Sequence, residues 1–409
     1  MTAADPRRAV ETVWRMESAR IVAALARLVG DVGLAEEIAQ DTLVIALEQW
    51  PADGVPDHPA SWLMATAKHR AIDLLRRQTR YRAKLAELGR ATPVAAEPDL
   101  AAGLDDYVGD DLLRLIFTTC HPALPTEARV ALTLRLLGGL TTAEIARAYL
   151  VSAATVGQRI TRAKRTLAEL RVPIELPPPG QAAERLASVL EVIYLIFNEG
   201  YAATAGDDWM RPALCGEALR LGRILAGLAP AEPEVHGLVA LMELQASRTA
   251  ARTDPDGNPV LLQDQDRGRW DRLLIRRGLA ALDRAAGTLG PYVLQAEIAA
   301  CHARAAAAED TDWVRVAALY EVLAYVWPSP VVELNRAVAV GNAYGPDRAL
   351  AIVDGLDLPA YALLPAVRGD LLARLGRTAE ARREFERAAA MTRNAAERRL
   401  FSARAAALG

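Results

Sequence analysis

A cluster of prolines constrains the fold more than any other feature of this chain. The stretch RVPIELPPPGQ, residues 171–181, contains Pro173, Pro177, Pro178 and Pro179. Proline lacks the backbone N–H that a helix interior uses, and its ring clashes with the preceding turn. We therefore expect no helix to cross this stretch, so that the chain folds as separate parts on its two sides.

A second break lies nearer the start of the chain. The stretch ATPVAAEPDLAAGLDDYVGDD, residues 91–111, combines two prolines with several acids and little helical periodicity. Because this composition is typical of a solvated connection, we predict an acidic linker here. The length of 409 residues is enough for two or three domains. The two breaks predict domains at residues 1–90, 112–172 and 181–409.

The composition favours helices over strands. Apolar residues make up 52% of the chain, much of it Ala and Leu, whereas aromatic residues make up only 5%. Ala and Leu are good helix formers, while β-branched and aromatic side chains favour sheets. We therefore expect an all-α protein, with two small helical domains followed by a longer array of helices.

The charge and the cysteines exclude several classes of function. A net charge of −3 argues against a protein that coats nucleic acid, so any DNA contact must be local or depend on a partner. Cys120, Cys215 and Cys301 are far apart and lack CxxC spacing, which indicates reduced thiols in a cytoplasmic protein. We expect no metal site and no cofactor. We also expect neither a signal peptide nor a membrane span, since no apolar run is long enough.

The stretch LTTAEIARAYLVSAATVGQRITRAKRTL, residues 140–167, predicts a helix-turn-helix. Thr141 or Thr142 can cap its first helix and Ser152 its second, and apolar residues recur along one face of each helix. The other face of the second helix carries polar and basic side chains that can meet base edges and phosphates in a major groove. They are Ser152, Thr155, Gln158, Arg159, Arg162 and Arg165. An ordinary surface helix can show the same two faces, but the caps and the turn favour DNA binding.

Two further predicted helices lie in residues 1–90 and differ in charge. DVGLAEEIAQDTLVIALEQW, residues 31–50, is acidic on its polar face. PASWLMATAKHRAIDLLRRQTRYRAKLAEL, residues 59–88, is strongly basic, and its cations include Lys68, Arg70, Arg76, Arg77, Arg80, Arg82 and Lys84. On charge alone, a solvated surface helix explains the basic stretch as well as a binding surface does.

Together these stretches resemble a known family. EIARAYLVSAATVGQRITRAKRTL resembles the region of sigma-70 family sigma factors that reads the promoter −35 element, especially in the extracytoplasmic-function (ECF) type. DVGLAEEIAQDTLVIALEQW resembles the helix that docks on the clamp helices of the RNA polymerase β′ subunit. PASWLMATAKHRAIDLLRR resembles the helix that melts and holds the −10 element. The matching segments occur in the order of that family and flank an acidic linker.

The resemblance implies a sigma factor that binds core RNA polymerase, through the β′ clamp helices and the β flap, and directs initiation at promoter DNA. It implies that the six polar residues of the helix-turn-helix contact the −35 element. The implied contacts with the −10 element are Lys68, His69, Arg76, Arg77 and Arg80. The implied contacts with core polymerase are Asp31, Glu36, Glu37, Gln40 and Asp41.

Residues 181–409 predict an array of helical hairpins. AVRGDLLARLGRTAEARREFERAAAMT, residues 366–392, fits a tetratricopeptide repeat, with Gly369 in its first helix and Ala381 and Phe385 in its second. Small residues at such positions let paired helices approach closely. This part is similar to the tetratricopeptide-like extension of one ECF subgroup. We expect it to regulate the sigma portion through a protein or ligand partner, by inhibiting it or by adding contacts to the polymerase.

Two polar loops in this part, residues 197–209 and 252–272, are candidates for a ligand or docking site. Their candidate residues are Asn198, Glu199, Asp254, Asp256, Asp264 and Asp266. The second loop lacks the glycine and glutamate positions of a calcium-binding loop, so we expect no calcium there. The alternative is that both loops are ordinary connections held by Asx turns and ion pairs.

Two other functions are compatible with parts of the sequence. A transcriptional activator would combine the helix-turn-helix with a helical-repeat sensor, but it gives no reason for the acidic and basic helices of residues 31–85. An enzyme in the repeat part would use Glu199, Asp207 and His236. Because no nucleophile–base pair, phosphate loop or metal spacing accompanies them, we expect a protein that is not an enzyme.

Overall fold

The computed structural model describes residues 6–88, 108–149, 151–255 and 257–408. Across these residues the chain forms α-helices and three short 3-10 helices but no β-strand, which confirms the predicted all-α fold class. None of the helices in these ranges is long and apolar enough to pass through a bilayer. The chain divides into two compact units, unit 1 (Met1–Val192) and unit 2 (Ile193–Gly409).

Unit 1 is built on long amphipathic helices at its start and shorter ones after the linker. The helices are α1 (Pro6–Val29), α2 (Val32–Asp53), α3 (Pro59–Leu88), α4 (Val108–Thr119), α5 (Thr126–Leu136), α6 (Thr142–Tyr149), α7 (Ala153–Glu169) and α8 (Pro179–Tyr201). Leu25, Ile38 and Leu63 bury the apolar faces of α1, α2 and α3 against one another. The rings of Trp50 and Trp62 meet edge to face, with centroids 5.6 Å apart, and fix the end of α2 on α3.

The predicted acidic linker ends earlier than expected. The composition predicts a linker as far as residue 111, but α4 already begins at Val108. Asp111 is buried, and its carboxylate forms ion pairs with Arg27 at 2.8 Å and Arg114 at 3.2 Å. This acid is therefore an internal anchor of α4 on α1. The rest of the predicted linker lies outside the described residues.

The proline cluster marks the start of a helix, and the boundary between the units lies further along. Pro179 is the first residue of α8, where the missing N–H of proline costs no helical hydrogen bond. α8 then continues to Tyr201, and the boundary falls inside it. Residues 181–192 belong to unit 1, where the Ser188 hydroxyl donates to the Cys120 carbonyl at 2.7 Å. The predicted start of the third domain is therefore too early.

Unit 2 contains the rest of α8 and an array of paired helices. The others are α9 (Pro212–Leu228), α10 (Pro233–Ala246), α11 (Arg272–Arg284), α12 (Pro291–Arg304), α13 (Trp313–Val326), α14 (Pro330–Tyr344), α15 (Pro346–Asp354), α16 (Leu363–Arg374), α17 (Thr378–Met391) and α18 (Ala395–Ala406). The α16–α17 hairpin matches the repeat seen in the sequence. A side chain on Gly369 would lie 3.2 Å from the Ala381 carbonyl oxygen and 3.2 Å from the Phe385 ring. The glycine therefore permits the close approach of these two helices.

The first and last connections of unit 2 are tied together. Asn394 is fully buried, and its side-chain amide donates to the carbonyls of Ala203 and Asp208, both at 2.9 Å. The backbone N–H of Gly206 donates to the Arg393 carbonyl at 3.3 Å. The loop between α8 and α9 is thus held by the turn before α18, which closes the array within unit 2.

Candidate nucleic-acid interface

The helix-turn-helix is formed by α6 and α7, and both caps lie where the sequence places them. The backbone N–H of Thr141 donates to the Glu144 carboxylate at 2.8 Å, and the N–H of Glu144 donates to the Thr141 hydroxyl at 3.2 Å. The Ser152 hydroxyl accepts from the backbone N–H of Thr155 at 3.0 Å. Thr141, rather than Thr142, is therefore the cap of the first helix.

An apolar stripe holds α7 in place and turns its basic face outward. Val156, Ile160, Ala163 and Leu167 are buried at helical spacing, and Ile145 of α6 is buried as well. Because the stripe occupies one side of α7, the residues on the opposite side face solvent.

The predicted −35 residues share this outer face of α7. Ser152, Gln158, Arg162 and Arg165 are exposed, whereas Thr155 and Arg159 are half-buried. The hydroxyls of Ser152 and Thr155 lie 2.8 Å apart. Arg165 forms an ion pair with Glu169 at 2.6 Å, but such an exposed pair is worth little and can be exchanged for a phosphate.

The predicted −10 residues share the outer face of α3. His69, Arg76, Arg77 and Arg80 are exposed, and Lys68 is half-buried. Among the described residues neither Arg76 nor Arg77 forms an ion pair, so both guanidinium groups can reach an external anion. The face is therefore a cationic surface of a folded helix, as the sequence predicts.

The acidic helix α2 exposes only part of its predicted polymerase-binding set. Glu37, Gln40 and Asp41 are exposed, and Asp41 forms an ion pair with Arg70 of α3 at 2.6 Å. Asp31 caps α2, because its carboxylate accepts from the backbone N–H of Leu34 at 2.8 Å. Asp31 therefore has a structural role in starting the helix.

Glu36 points inward, which corrects its assignment to the exposed acidic surface. It is 6% exposed, and its carboxylate pairs with Arg135 of α5 at 2.7 Å and with Lys164 of α7. Burial alone would raise the pKa of Glu36, but Lys164 and Arg135 together lower it below its ordinary value. Glu36 is thus an ionised tie between α2 and the helix-turn-helix. No local signal reveals it, since Arg135 lies 99 positions away.

The candidate loop residues of unit 2 serve mainly structural roles. Glu199 is buried in an ion pair with Arg211, and it accepts from the Thr204 hydroxyl at 2.9 Å. The Asp254 carboxylate accepts from the backbone N–H of Asn258 at 2.7 Å, which ties the two ends of this turn together. Glu199 is therefore not presented to a partner, which corrects its assignment as a docking residue, whereas Asp254 is half-buried and its assignment stays a prediction.

The remaining loop candidates lie in mixed environments. Asn198 is half-buried on α8, and Asp264 is exposed. Asp266 is exposed as well, but its carboxylate accepts from the backbone N–H of Gly268 at 2.8 Å. Asp256 lies outside the described residues. Only Asp264 therefore presents an uncommitted carboxylate among the candidates that the structure describes.

A buried arginine that the sequence reasoning missed joins the two loops. The Arg252 guanidinium carbon lies 3.5 Å from the centroid of the Tyr201 ring and 5.3 Å from that of Trp209. Arg252 is 6% exposed and donates to the Tyr201 carbonyl. These contacts replace water around the cation with ring faces and a carbonyl. The polarity of the loops therefore reflects their packing on each other.

The residues considered for an enzyme each lie in their own local environment. His236 is buried in α10, and its Nε2 lies 2.9 Å from the Pro230 carbonyl oxygen. Glu199 is held by Arg211, and Asp207 is exposed. Within the described ranges, no group of histidine, cysteine or acidic residues has an arrangement that could hold a metal ion.

Three protein families match parts of the chain. Sigma-70 region 2 matches residues 14–81, which include α2 and most of α3. Sigma-70, region 4 matches residues 114–167, which include α6 and most of α7. A family of unknown function, DUF6596, matches residues 185–286. The two cationic helix faces thus lie in the two sigma-70 regions.

Similar proteins match the chain over different lengths. An uncharacterised protein of Rhizobium meliloti is 47% identical over 379 residues, which cover 91% of this chain and 90% of the relative. The ECF RNA polymerase sigma factor SigK of Mycobacterium ulcerans is 30% identical over 159 residues, 36% of this chain and 78% of the relative. The ECF RNA polymerase sigma factor SigL of Mycobacterium tuberculosis is 31% identical over 144 residues, 34% of this chain and 76% of the relative. No solved structure shows a significant match.

These matches define a protein with sigma-70 regions 2 and 4, which confirms the resemblance seen in the sequence. The chain belongs to the ECF family of RNA polymerase sigma factors, and it carries a C-terminal helical extension beyond the two sigma regions.

Proposed function

We propose that this protein binds core RNA polymerase and promoter DNA and directs transcription initiation. The observation that carries the proposal is the exposure of two cationic helix faces, on α3 and α7, one in each sigma-70 region. Exposed cations on a helix increase the affinity of a protein for DNA by pairing with phosphates. Short polar side chains between them can read base edges. A protein that acts on polymerase would do so in the cytoplasm.

The −35 element is assigned to the outer face of α7. Gln158, Arg162 and Arg165 lie away from the buried stripe, with half-buried Thr155 and Arg159 beside them, so the helix can enter a major groove without disturbing its own packing. Arg162 lies near the middle of this face and is exposed, so it is the best placed to reach a base. The proposed contacts are Ser152, Thr155, Gln158, Arg159, Arg162 and Arg165.

The −10 element is assigned to the outer face of α3. Arg76 and Arg77 are exposed without an ion pair among the described residues, and His69 and Arg80 extend the same surface. A cationic groove beside stacking surfaces suits the backbone of opened, single-stranded DNA. Lys68 is half-buried and would contribute from the edge of this face.

Core polymerase is assigned to the exposed acids of α2. Glu37, Gln40 and Asp41 present a polar surface that complements a basic partner. Glu36 is not available to a partner in this conformation, since Arg135 and Lys164 hold it. Polymerase binding through Glu36 would require this internal tie to open first.

Unit 2 is proposed to regulate the sigma portion. The extension accounts for more than half of the chain, and its paired helices form the kind of surface that binds peptides or small ligands. α8 contributes residues to both units, so the regulatory and promoter-binding parts share one continuous helix.

Run-off transcription tests the proposed function. Core polymerase, a promoter template and the full chain should together give a specific transcript, whereas core polymerase alone should not. If a transcript appears only when a different sigma factor is also present, the protein is instead a transcriptional activator. A failure of the full chain to bind core polymerase would contradict the proposal outright.

A second measurement concerns the charge balance of the chain. Because the net charge is −3, the free protein should bind a promoter fragment weakly and with strong salt dependence, and the complex with polymerase should bind it tightly. Tight, salt-resistant binding by the free protein would contradict the expectation that tight promoter binding requires the polymerase.

A further inference from the structure

A cavity in unit 2 lies outside every surface assigned so far. Helices α14, α16 and α18, together with the end of α12, the start of α13 and the loop before α11, line an open cavity of about 490 Å³. Cavities that bind small molecules commonly have volumes of roughly 300–1,000 Å³. We call this space the unit 2 cavity. It is formed without any residue of α2, α3 or α7, so it has no part in the proposed polymerase and promoter contacts.

The walls of the unit 2 cavity are largely apolar. Trp313, Val367 and Phe401 line it, and Leu363, which also lines it, keeps 37% of its surface exposed. When an apolar ligand group covers exposed apolar walls, both surfaces are removed from water, which favours binding. The shape and the lining therefore favour a ligand with an apolar body.

The cations of the cavity outnumber the acids that neutralise them. Arg404 is paired with Asp370, and its guanidinium also lies over the Phe385 ring. Arg267 and Arg374 line the same cavity. Neither of these two forms an ion pair with a carboxylate among the described residues. Two positive charges thus remain without a direct counter-charge.

The partners of Arg267 and Arg374 are neutral groups. Arg374 donates to the Gly341 carbonyl at 2.7 Å, and its own side chain is exposed. Arg267 is 9% exposed and donates to the Ala305 carbonyl at 2.9 Å and to the Thr311 hydroxyl at 3.3 Å. These bonds hold the guanidinium groups in place but do not neutralise them; Asp310 and Glu309 act on Arg267 only from beyond ion-pair distance. Glu309, the remaining acid of the lining, is exposed, so water screens its field.

A neutral histidine completes the polar lining. His302 is 9% exposed, and its buried Nδ1 has no hydrogen-bond partner. Burial, with Arg248 and Arg267 nearby, lowers the pKa of His302 to about 4, so the ring is uncharged at neutral pH. Its edge-to-face contact with Trp313, with centroids 5.2 Å apart, holds the ring in the cavity wall. The wall therefore holds an imidazole that adds no charge of its own.

We propose that the unit 2 cavity binds a small carboxylic acid with an apolar body. The carboxylate pairs with Arg374, which is exposed, and the apolar body lies against Val367 and Phe401. Charge complementarity selects the head group, because Arg374 has only neutral partners and the one half-buried acid of the lining, Asp370, is already paired with Arg404. The volume selects a small molecule, since it fits one compact ligand. This inference does not depend on the proposed role in transcription.

The first test compares acids with their amides on the full chain. Isothermal titration with octanoate and 4-phenylbutyrate should show saturable binding of at least one acid. The matched amides, octanamide and 4-phenylbutanamide, should bind roughly tenfold more weakly or worse, because they cannot form the charge-assisted pair. Absence of binding by both acids, or equal binding of acids and amides, would overturn the proposal.

The second test locates the site with variants of the full chain. Arg374→Gln should weaken the acid roughly tenfold and leave the amide unchanged. Val367→Trp should fill the cavity and weaken both. Arg383→Gln removes an exposed arginine of α17 that does not line the cavity, so it should change neither. Thermal unfolding confirms that each variant is folded. Equal effects of Arg374→Gln and Arg383→Gln would contradict the assignment.

A third test distinguishes two possible ligands of the cavity, a small carboxylic acid and the C-terminal carboxylate of a protein chain. The tripeptide Ala-Leu-Phe, with a C-terminal carboxylate, presents the same head group on a peptide backbone. The small acids should bind more tightly than this peptide. Binding of the peptide alone would overturn the proposal and assign the cavity to a protein partner.

Discussion

The polar residues predicted to be functional lie in different environments in the two units. In unit 1 most of them, such as Arg162 on α7 and Glu37 on α2, project from helices into solvent. In unit 2 Glu199, near the end of α8, is buried in an ion pair with Arg211, whereas Asp254 is bonded within its own loop. A helix satisfies its own backbone, so its outer side chains are available to partners, whereas a loop uses polar side chains to satisfy backbone groups. Exposed polar residues are thus better candidates for binding on a helix than in a loop.

Glu36 is an exception, because it lies on a helix and yet has internal partners. It lies on a helix beside exposed Glu37, yet its carboxylate is buried between Arg135 and Lys164. The two neighbouring glutamates of α2 therefore divide the roles: one holds unit 1 together and the other faces solvent. Variants of the two residues separate stability from partner binding.

The largest effect should come from the buried ion pair of unit 2. Glu199→Ala leaves the Arg211 cation without its carboxylate in a site where both side chains are largely buried. Breaking such a pair typically costs about 3–5 kcal/mol of unfolding free energy. Denaturant unfolding of the full chain measures the loss. Asp264→Asn, at an exposed loop acid, should change stability very little. If the two variants unfolded alike, the structural role assigned to Glu199 would be wrong.

A smaller loss of stability is expected for Glu36→Gln. The amide keeps hydrogen-bonding ability but not the charge, and both Arg135 and Lys164 are about a quarter exposed, so we expect a loss of about 1–3 kcal/mol. Denaturant unfolding at pH 7 measures it. Glu37→Gln is the matched control, since Glu37 is exposed on the same helix and should contribute little to stability.

The same ion pair predicts how the stability difference depends on pH. The charges of Lys164 and Arg135 outweigh burial and hold the pKa of Glu36 below its ordinary value of 4.5 in the folded protein. A lowered folded pKa gives stability that is fully present above the unfolded pKa and is lost as pH falls through the folded one. The difference between the wild type and Glu36→Gln should therefore be constant near neutral pH and shrink below about pH 4.5. A difference that persisted unchanged at pH 3 would contradict the ion pair.

Periodic helices were predictable from the sequence, and long-range ties were not. The α6–α7 caps at Thr141 and Ser152 follow from residue type and spacing, because capping acts within four residues. The α16–α17 hairpin follows from Gly369 and its repeat frame in the same way. Asp111 and Glu36 look like solvated acids in their local sequence, because the cations that bury them lie in other helices.

The loops of unit 2 were unpredictable for a related reason. The charge of a residue in or beside a loop does not show whether it faces solvent or an internal partner, and Glu199 at the end of α8 and Arg252 both have partners inside unit 2. The unit 2 cavity was also hidden, since its lining comes from segments between Leu261 and Arg404 that no single repeat brings together.

DNA binding should respond to the outer face of α7. Arg162→Ala should weaken the promoter complex of the polymerase-bound protein by roughly tenfold, since one good contact with a base or phosphate is worth about 1–3 kcal/mol. If Arg162 reads a base, the variant should also tolerate substitutions at one position of the −35 element. Electrophoretic mobility shifts with a set of promoter variants measure both effects. Arg383→Ala removes the same charge from an exposed site of unit 2, and equal losses from both variants would contradict the assignment of α7.

Polymerase binding should respond most modestly, to the exposed acids of α2. Glu37→Lys reverses a surface charge that we assign to the polymerase contact, and a surface charge pair is worth up to about 1 kcal/mol, or roughly fivefold in affinity. Because exposed charges act mainly on association, the loss should appear in the association rate and fade as salt is raised. Biolayer interferometry with immobilised core polymerase measures it. Glu11→Lys makes the same change at an exposed site of α1 and should have a smaller effect. Equal decreases in the association rate for both variants at low salt would mean that the net charge of unit 1 governs the encounter. That result would contradict the assignment of the exposed face of α2 as the docking surface.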